Sequence, residues 1–141
     1  MADQRAVSEI LPRLSLFADL SAAQIEEVAH RYEEELIPEG ARVLRKGLHG
    51  SGVFVILEGE ALIRIDGEEV ARFGAGEFFG EISVVTGEPP NADVVAATVL
   101  RCLQIPGPEF ERFVVEHPRV LFRMFRAEAR RLRDTTAWKK L

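Results

Sequence analysis

The chain has 141 residues, 47% hydrophobic and 29% charged, with a formal net charge of -5 and one cysteine. That length suffices to bury a core without staples, so one compact domain is expected. The lone Cys102 excludes an internal disulfide and any cysteine-held iron–sulfur cluster or zinc finger. No run of about 18 apolar residues occurs, and charges and Pro12 break up the first residues, so neither a membrane span nor a signal peptide is expected. The expected location is cytoplasmic. Residues 1–117 carry 10 Lys and Arg against 21 Asp and Glu, whereas residues 118–141 carry 8 against 2. The acidic body argues against a general nucleic-acid surface and leaves a basic C-terminal segment.

Three parts follow along the chain. In residues 1–31, Ile10, Leu11, Leu14, Leu16 and Phe17 are spaced irregularly around Pro12, which predicts a small helix or turn. Ser21-Ala22-Ala23-Gln24 has the form of a capping box and predicts a short helix over about 21–30. In residues 32–105 the pattern changes to two-residue alternation cut by glycines. Strands are predicted at about 32–37, 41–46, 53–57, 60–65, 68–73, 92–97 and 99–105, with Glu58-Gly59 and Asp66-Gly67 as the turns of two consecutive hairpins. So many short strands predict a mainly β fold, an antiparallel β-roll of jelly-roll type, with an N-terminal helix and two C-terminal helices. In residues 106–141, Phe110, Phe113 and Val114 mark one helix ending near His117, and a second runs from Pro118 to about Asp134.

Between two of the strands lies the long stretch Gly74 to Val94, with a helical piece at 81–86. Clustered amides beside glycines and a helix start at Gly80-Glu81 suit an anion. Leu16-Phe17-Ala18-Asp19-Leu20-Ser21, Gly40 to Gly47, Val55 to Glu60, Phe79-Gly80-Glu81-Ile82-Ser83, Gly87-Glu88-Pro89 and Ala92 occur in that order. On these motifs the sequence resembles the cyclic nucleotide-binding domain family, which includes bacterial cyclic-AMP receptor proteins, kinase regulatory subunits and nucleotide-gated channels. The resemblance implies that Gly80 and Glu81 hold a ribose, that Asn91 takes the place of a phosphate-binding hydroxyl, and that Ala92 offers its amide. It also implies an arginine where this chain has Pro90, so the phosphate-binding cassette is degenerate. Losing a charge-assisted contact costs roughly 1.5–3 kcal/mol, and more when a buried anion is left unpaired, which takes a micromolar affinity to roughly 10–1,000 μM or worse. Asp93 adds repulsion if it points inward, and Arg72, on the preceding strand, compensates if it faces the site.

Each of these residues also has a plainer reading. Gly80 is required by a turn, Glu81 complements a helix start, and Asn91 is a turn residue. His30, His49 and His117 lie in separate elements, so no metal site is expected, and no nucleophile elbow surrounds Ser83, so no catalytic residue is assigned. Cys102 belongs to a strand, in the core or on its surface, and Glu33-Glu34-Glu35 is a solvated run. No cofactor is expected beyond a weakly held cyclic AMP, cyclic GMP or other small anion. Leu121, Phe125 and Leu132, widened by Val120, Met124, Ala127 and Ala129, form a helical stripe that packs either on its own roll or against a twin or partner protein through residues 118–134. In the receptor proteins a DNA-reading segment follows this helix; here the sequence stops at Leu141, so direct DNA binding is not expected. The reading is a stand-alone regulatory module, with a protein-interaction subunit acting through the basic helix as the alternative.

Overall fold

The computed structural model describes residues 5–47 and 52–135. The order is α1 (Val7–Ile10), two 3-10 turns (Leu11–Arg13 and Ser15–Phe17), α2 (Ala22–Arg31), β1 (Glu33–Ile37), β2 (Arg42–Leu44), β3 (Gly52–Glu58), β4 (Ala61–Ile65), β5 (Glu68–Phe73), β6 (Phe78–Phe79), α3 (Glu81–Thr86), β7 (Asp93–Ala96), β8 (Leu100–Pro106), α4 (Gly107–Glu116) and α5 (Pro118–Arg133). The strands form two antiparallel four-stranded sheets, β1-β8-β3-β6 and β2-β7-β4-β5. This is the expected mainly β roll with flanking helices.

The continuous apolar run of β3 has a simple cause: both faces of its sheet are covered. Phe54 and Ile56 join Leu100, Cys102, Phe79, Val94 and Ala96 in a core between the sheets, with the Phe54 and Phe79 rings stacked at 5.1 Å. The alternate residues Val53, Val55 and Leu57 join Leu103 and Ile105 beneath the helices, where they meet Phe17, Val28, Phe110, Phe113, Val120 and Met124. A strand buried on both sides loses the alternation of a one-sided strand. The Ser21 capping box forms as expected: Ser21 N donates to Gln24 Oε1 at 2.8 Å, and Gln24 N donates to Ser21 Oγ at 3.2 Å.

Of the two expected hairpins, one exists. Asp66 (φ 51°) and Gly67 (φ 83°) turn β4 back onto β5, as a type I′ turn requires. Glu58-Gly59 is instead a crossover, because β3 pairs with β6 and β8 while β4 pairs with β5 and β7. At Gly59 (φ +100°) a Cβ would stand 2.3 Å from Val99 O. Only a glycine lets the chain pass that carbonyl as it steps between sheets. The two-residue strand β6 was not expected from the sequence.

α5 answers the question of where its stripe goes by splitting it. Val120 and Met124 are buried against the roll, and Ala127 packs beside them. Leu121, Phe125 and Leu132 stay exposed, Phe125 at 68%. The helix is fastened at its start by Arg119 and Arg123, which reach Asp19 at 3.2 and 2.7 Å.

Candidate functional site

The site begins with a close approach of backbones. β6 pairs with β3 (Phe54↔Phe79, Val55↔Phe78), so the chain leaves the sheet at Gly80 directly beside Gly52. Gly80 has φ +90°, and a Cβ there would lie 2.3 Å from Gly52 O. Glycine at 80 is therefore demanded by the fold itself. α3 starts immediately after it, with Glu81 as its first residue.

Above this start opens a cavity of about 460 Å³ between β6, α3, the 90–94 segment, the second sheet and the last turns of α5. Gly80, Glu81, Asn91 and Ala92 all line it, so the four residues singled out from sequence come together. Pro90 lines it too and is buried. Its carbonyl accepts from Gly47 N at 2.9 Å, which ties the 90–94 segment to the end of β2. The walls are apolar: Leu44, Ile63, Phe73, Phe79, Val94 and Leu132. The Ser83 hydroxyl at the rim donates to Glu88 O at 2.6 Å.

Among the described lining residues the charged ones are Glu81, Glu128 and Arg131, and they form one cluster. Arg131 Nη1 lies 2.8 Å from Glu128 Oε1 and 3.3 Å from Glu81 Oε2, while Nη2 donates to Phe78 O at 2.9 Å. The guanidinium lies over the Phe73 and Phe78 rings, 4.2 and 4.3 Å from their centroids, a favourable place for a cation. Glu81 is only 7% exposed. Burial first, and then the hydrogen bond and charge of Glu128, push its carboxyl up to about 8, against the opposing pull of Arg131. One guanidinium thus serves two carboxyl groups, and the resulting excess of negative charge, with burial, raises the pKa of Glu81.

The compensating and repelling residues considered from sequence stand elsewhere. Arg72 pairs with Glu69 at 3.3 Å and Glu60 at 3.9 Å and is not among the lining residues. Asp93 turns to the end of β2, where its Oδ1 accepts from Lys46 N at 2.7 Å, so it adds no charge to the cavity. His30 sits on α2 and His117 at the junction of α4 and α5; His49 lies outside the described residues. Among the described residues no three His, Cys, Asp or Glu side chains gather as a metal group. Cys102 is fully buried in the inter-sheet core, where burial pushes its thiol up to about 12, so it is a packing residue. Glu34 is not simply solvated: its Oε1 receives Arg101 Nε at 2.6 Å. What sequence reasoning missed is the contribution of α5. Neither Glu128 nor Arg131 was singled out as a site residue, and only their spacing of three hinted that they act together.

A roll of two four-stranded sheets, a glycine-started short helix and a closing C-terminal helix around one cavity define a ligand-binding regulatory fold. Residues 34–117 match the cyclic nucleotide-binding domain family, and the chain belongs to that family. A cyclic nucleotide-gated potassium channel of Rhizobium etli is 30% identical over 112 residues, covering 79% of this chain and 31% of the channel. The chain spans about a third of the length of the curated relatives it matches. Among solved structures, PKAR CBD2 bound to Sp-2Cl-cAMPS superposes with a TM-score of 0.75 at 20% identity, covering 92% of this chain and 91% of that one. The regulatory subunit of a cAMP-independent protein kinase A from Trypanosoma brucei gives 0.71 at 22% identity, covering 94% and 47%. A triple mutant of that subunit, one of whose substitutions introduces an arginine, is bound to cAMP. Among the described residues no helix is long and apolar enough to cross a membrane.

Proposed function

We propose that this domain is a regulatory module that holds cyclic AMP or cyclic GMP weakly or not at all and catalyses no reaction. The observation that carries the reading is the chemistry of the cavity. Pro90 stands, buried, where the family resemblance implies the phosphate-binding arginine, and the lining guanidinium, Arg131, is already shared by two carboxyl groups and a carbonyl. A cyclic phosphodiester carries one negative charge, and desolvating it without a cation is costly. Gly80, Glu81, Asn91 and Ala92 remain the proposed contacts of whatever ligand enters, Glu81 through a ribose-type hydroxyl and Ala92 through its amide. The Trypanosoma regulatory subunit, which belongs to a protein kinase A described as cAMP-independent, supports the idea that this fold can serve regulation without a cyclic AMP response.

The test is a nuclear magnetic resonance titration of the chain with cyclic AMP, cyclic GMP and cyclic dinucleotides. Shifts confined to residues 80–94 and saturating only above roughly 10 μM agree with the proposal. Saturation at sub-micromolar ligand contradicts it.

A second reading rests on a separate observation, the exposed pair Leu121 and Phe125 on a helix whose other face is already packed. It makes α5 a docking surface for a twin or a partner protein, with no small ligand required. Sedimentation of the chain at high concentration separates the two: a dimer favours the docking role, and a strict monomer leaves the ligand-binding role alone.

A further inference from the structure

The carboxylate end of the cavity is already occupied, and the occupant comes from the same chain. Arg131 crosses from α5 to lie over Phe73 and Phe78, donates to Phe78 O on β6 and contacts Glu81 at the start of α3, while Glu128 one turn earlier on α5 closes the group. Glu81 Oε2, an atom that a ligand hydroxyl would use, therefore faces the Arg131 guanidinium of α5. We infer that Arg131, seated by Glu128, is a resident competitor for Glu81: a hydroxyl-bearing ligand reaches that carboxyl only after α5 has withdrawn the guanidinium. This inference rests on the ligand-binding reading above and adds to it a specificity-determining residue that works against binding.

Three features make competition, rather than assistance to an incoming anion, the role that the geometry supports. The guanidinium has acceptors on both Nη atoms and two aromatic faces against it, so turning it toward the 90–92 segment forfeits all of these contacts at once. Its contacts also tie the C-terminal half of α5 to the cassette, whereas Asp19 holds the N-terminal half through Arg119 and Arg123. Leu132, the next residue, remains 52% exposed while lining the cavity, so apolar packing adds little to this half and the Arg131 cluster is its main fastening.

The experiment has a ligand-free arm and a ligand arm, on Arg131→Gln and on Arg131→Met, which keeps the unbranched stem over the two rings. Amide hydrogen exchange at residues 127–133 is expected to quicken at least tenfold in both variants, with β3 and β8 unchanged. Unchanged exchange in the helix overturns the inference. In the ligand arm, calorimetry compares Pro90→Arg with Pro90→Arg/Arg131→Gln. Cyclic AMP is expected to bind about tenfold more tightly to the double variant. Equal or weaker binding by the double variant overturns the competitor role, since Arg131 would then be idle or would serve the ligand. If neither variant binds at millimolar ligand, the ligand-binding reading fails by itself, and hydrogen exchange still decides whether Arg131 fastens α5 to the cassette.

Discussion

The two ends of the cavity are built on opposite principles. At the Glu81 end a buried carboxyl, a second carboxyl and a guanidinium are packed together against two aromatic rings. At the Pro90–Ala92 end no charged side chain among the described residues lines the wall: Pro90 is buried, and Asp93 faces away to Lys46 N. The first end keeps a ligand-type carboxyl but fills its place from within, and the second keeps the shape of an anion cradle without its cation. Scaffold and chemistry are therefore separable here. Gly80 persists because Gly52 O leaves no room for a Cβ, a reason that holds whether or not any nucleotide ever binds.

That separation can be broken most severely at the scaffold. Gly80→Val places a branched side chain at φ +90° against a carbonyl 2.3 Å from its Cβ. The expected loss is roughly 3 kcal/mol or more of stability, read from urea unfolding. At the bare end, Pro90→Arg restores a charge-assisted contact worth about 1.5–3 kcal/mol, a gain of about 10- to 150-fold in affinity for cyclic AMP. Titration calorimetry reads that gain, and a gain of threefold or less shows that the missing cation is not what weakens the site.

At the crowded end the prediction concerns pH. The folded-state pKa of Glu81 is raised from 4.5 to about 8 by burial and by Glu128, so the native state holds this proton more tightly than the unfolded chain does. Its contribution to stability is full below pH 4.5 and is lost as pH rises to about 8. Asp19 and Glu116 act in the opposite sense, because arginines lower both; their contributions are lost on acidification. Glu81→Gln should flatten the decline between pH 4.5 and about 8 while leaving the acid limb intact, as followed by unfolding midpoints across that range. The smallest effect is expected on the outer face of α5. Phe125→Asp, at a residue 68% exposed, should leave the unfolding midpoint within about 0.5 kcal/mol of wild type and should weaken any self-association seen by sedimentation.

Much of this was readable in the residues, for identifiable reasons. The capping box at Ser21, the Asp66-Gly67 turn and the strand periodicity are local signals, and each has its cause within a few residues. The cavity-lining set Gly80, Glu81, Asn91 and Ala92 came from motif order, which the fold then brought into one place. The Glu58-Gly59 crossover was misread because a tight glycine turn looks the same whether the next strand pairs with the last or changes sheet; the deciding contact, Val99 O, lies 40 residues away. β6 is too short, at two residues, to show any period. Arg131 was hidden among six arginines of one helix, and only tertiary packing reveals which of them enters the cavity.

The central claim is that the vacancy at position 90 sets the ligand response of this roll. Calorimetry of the unaltered chain and of Pro90→Arg with cyclic AMP tests it most directly. The account predicts a dissociation constant weaker than about 10 μM for the unaltered chain and a clear gain for the variant. Sub-micromolar binding by the unaltered chain, or identical isotherms for the two proteins, would contradict it.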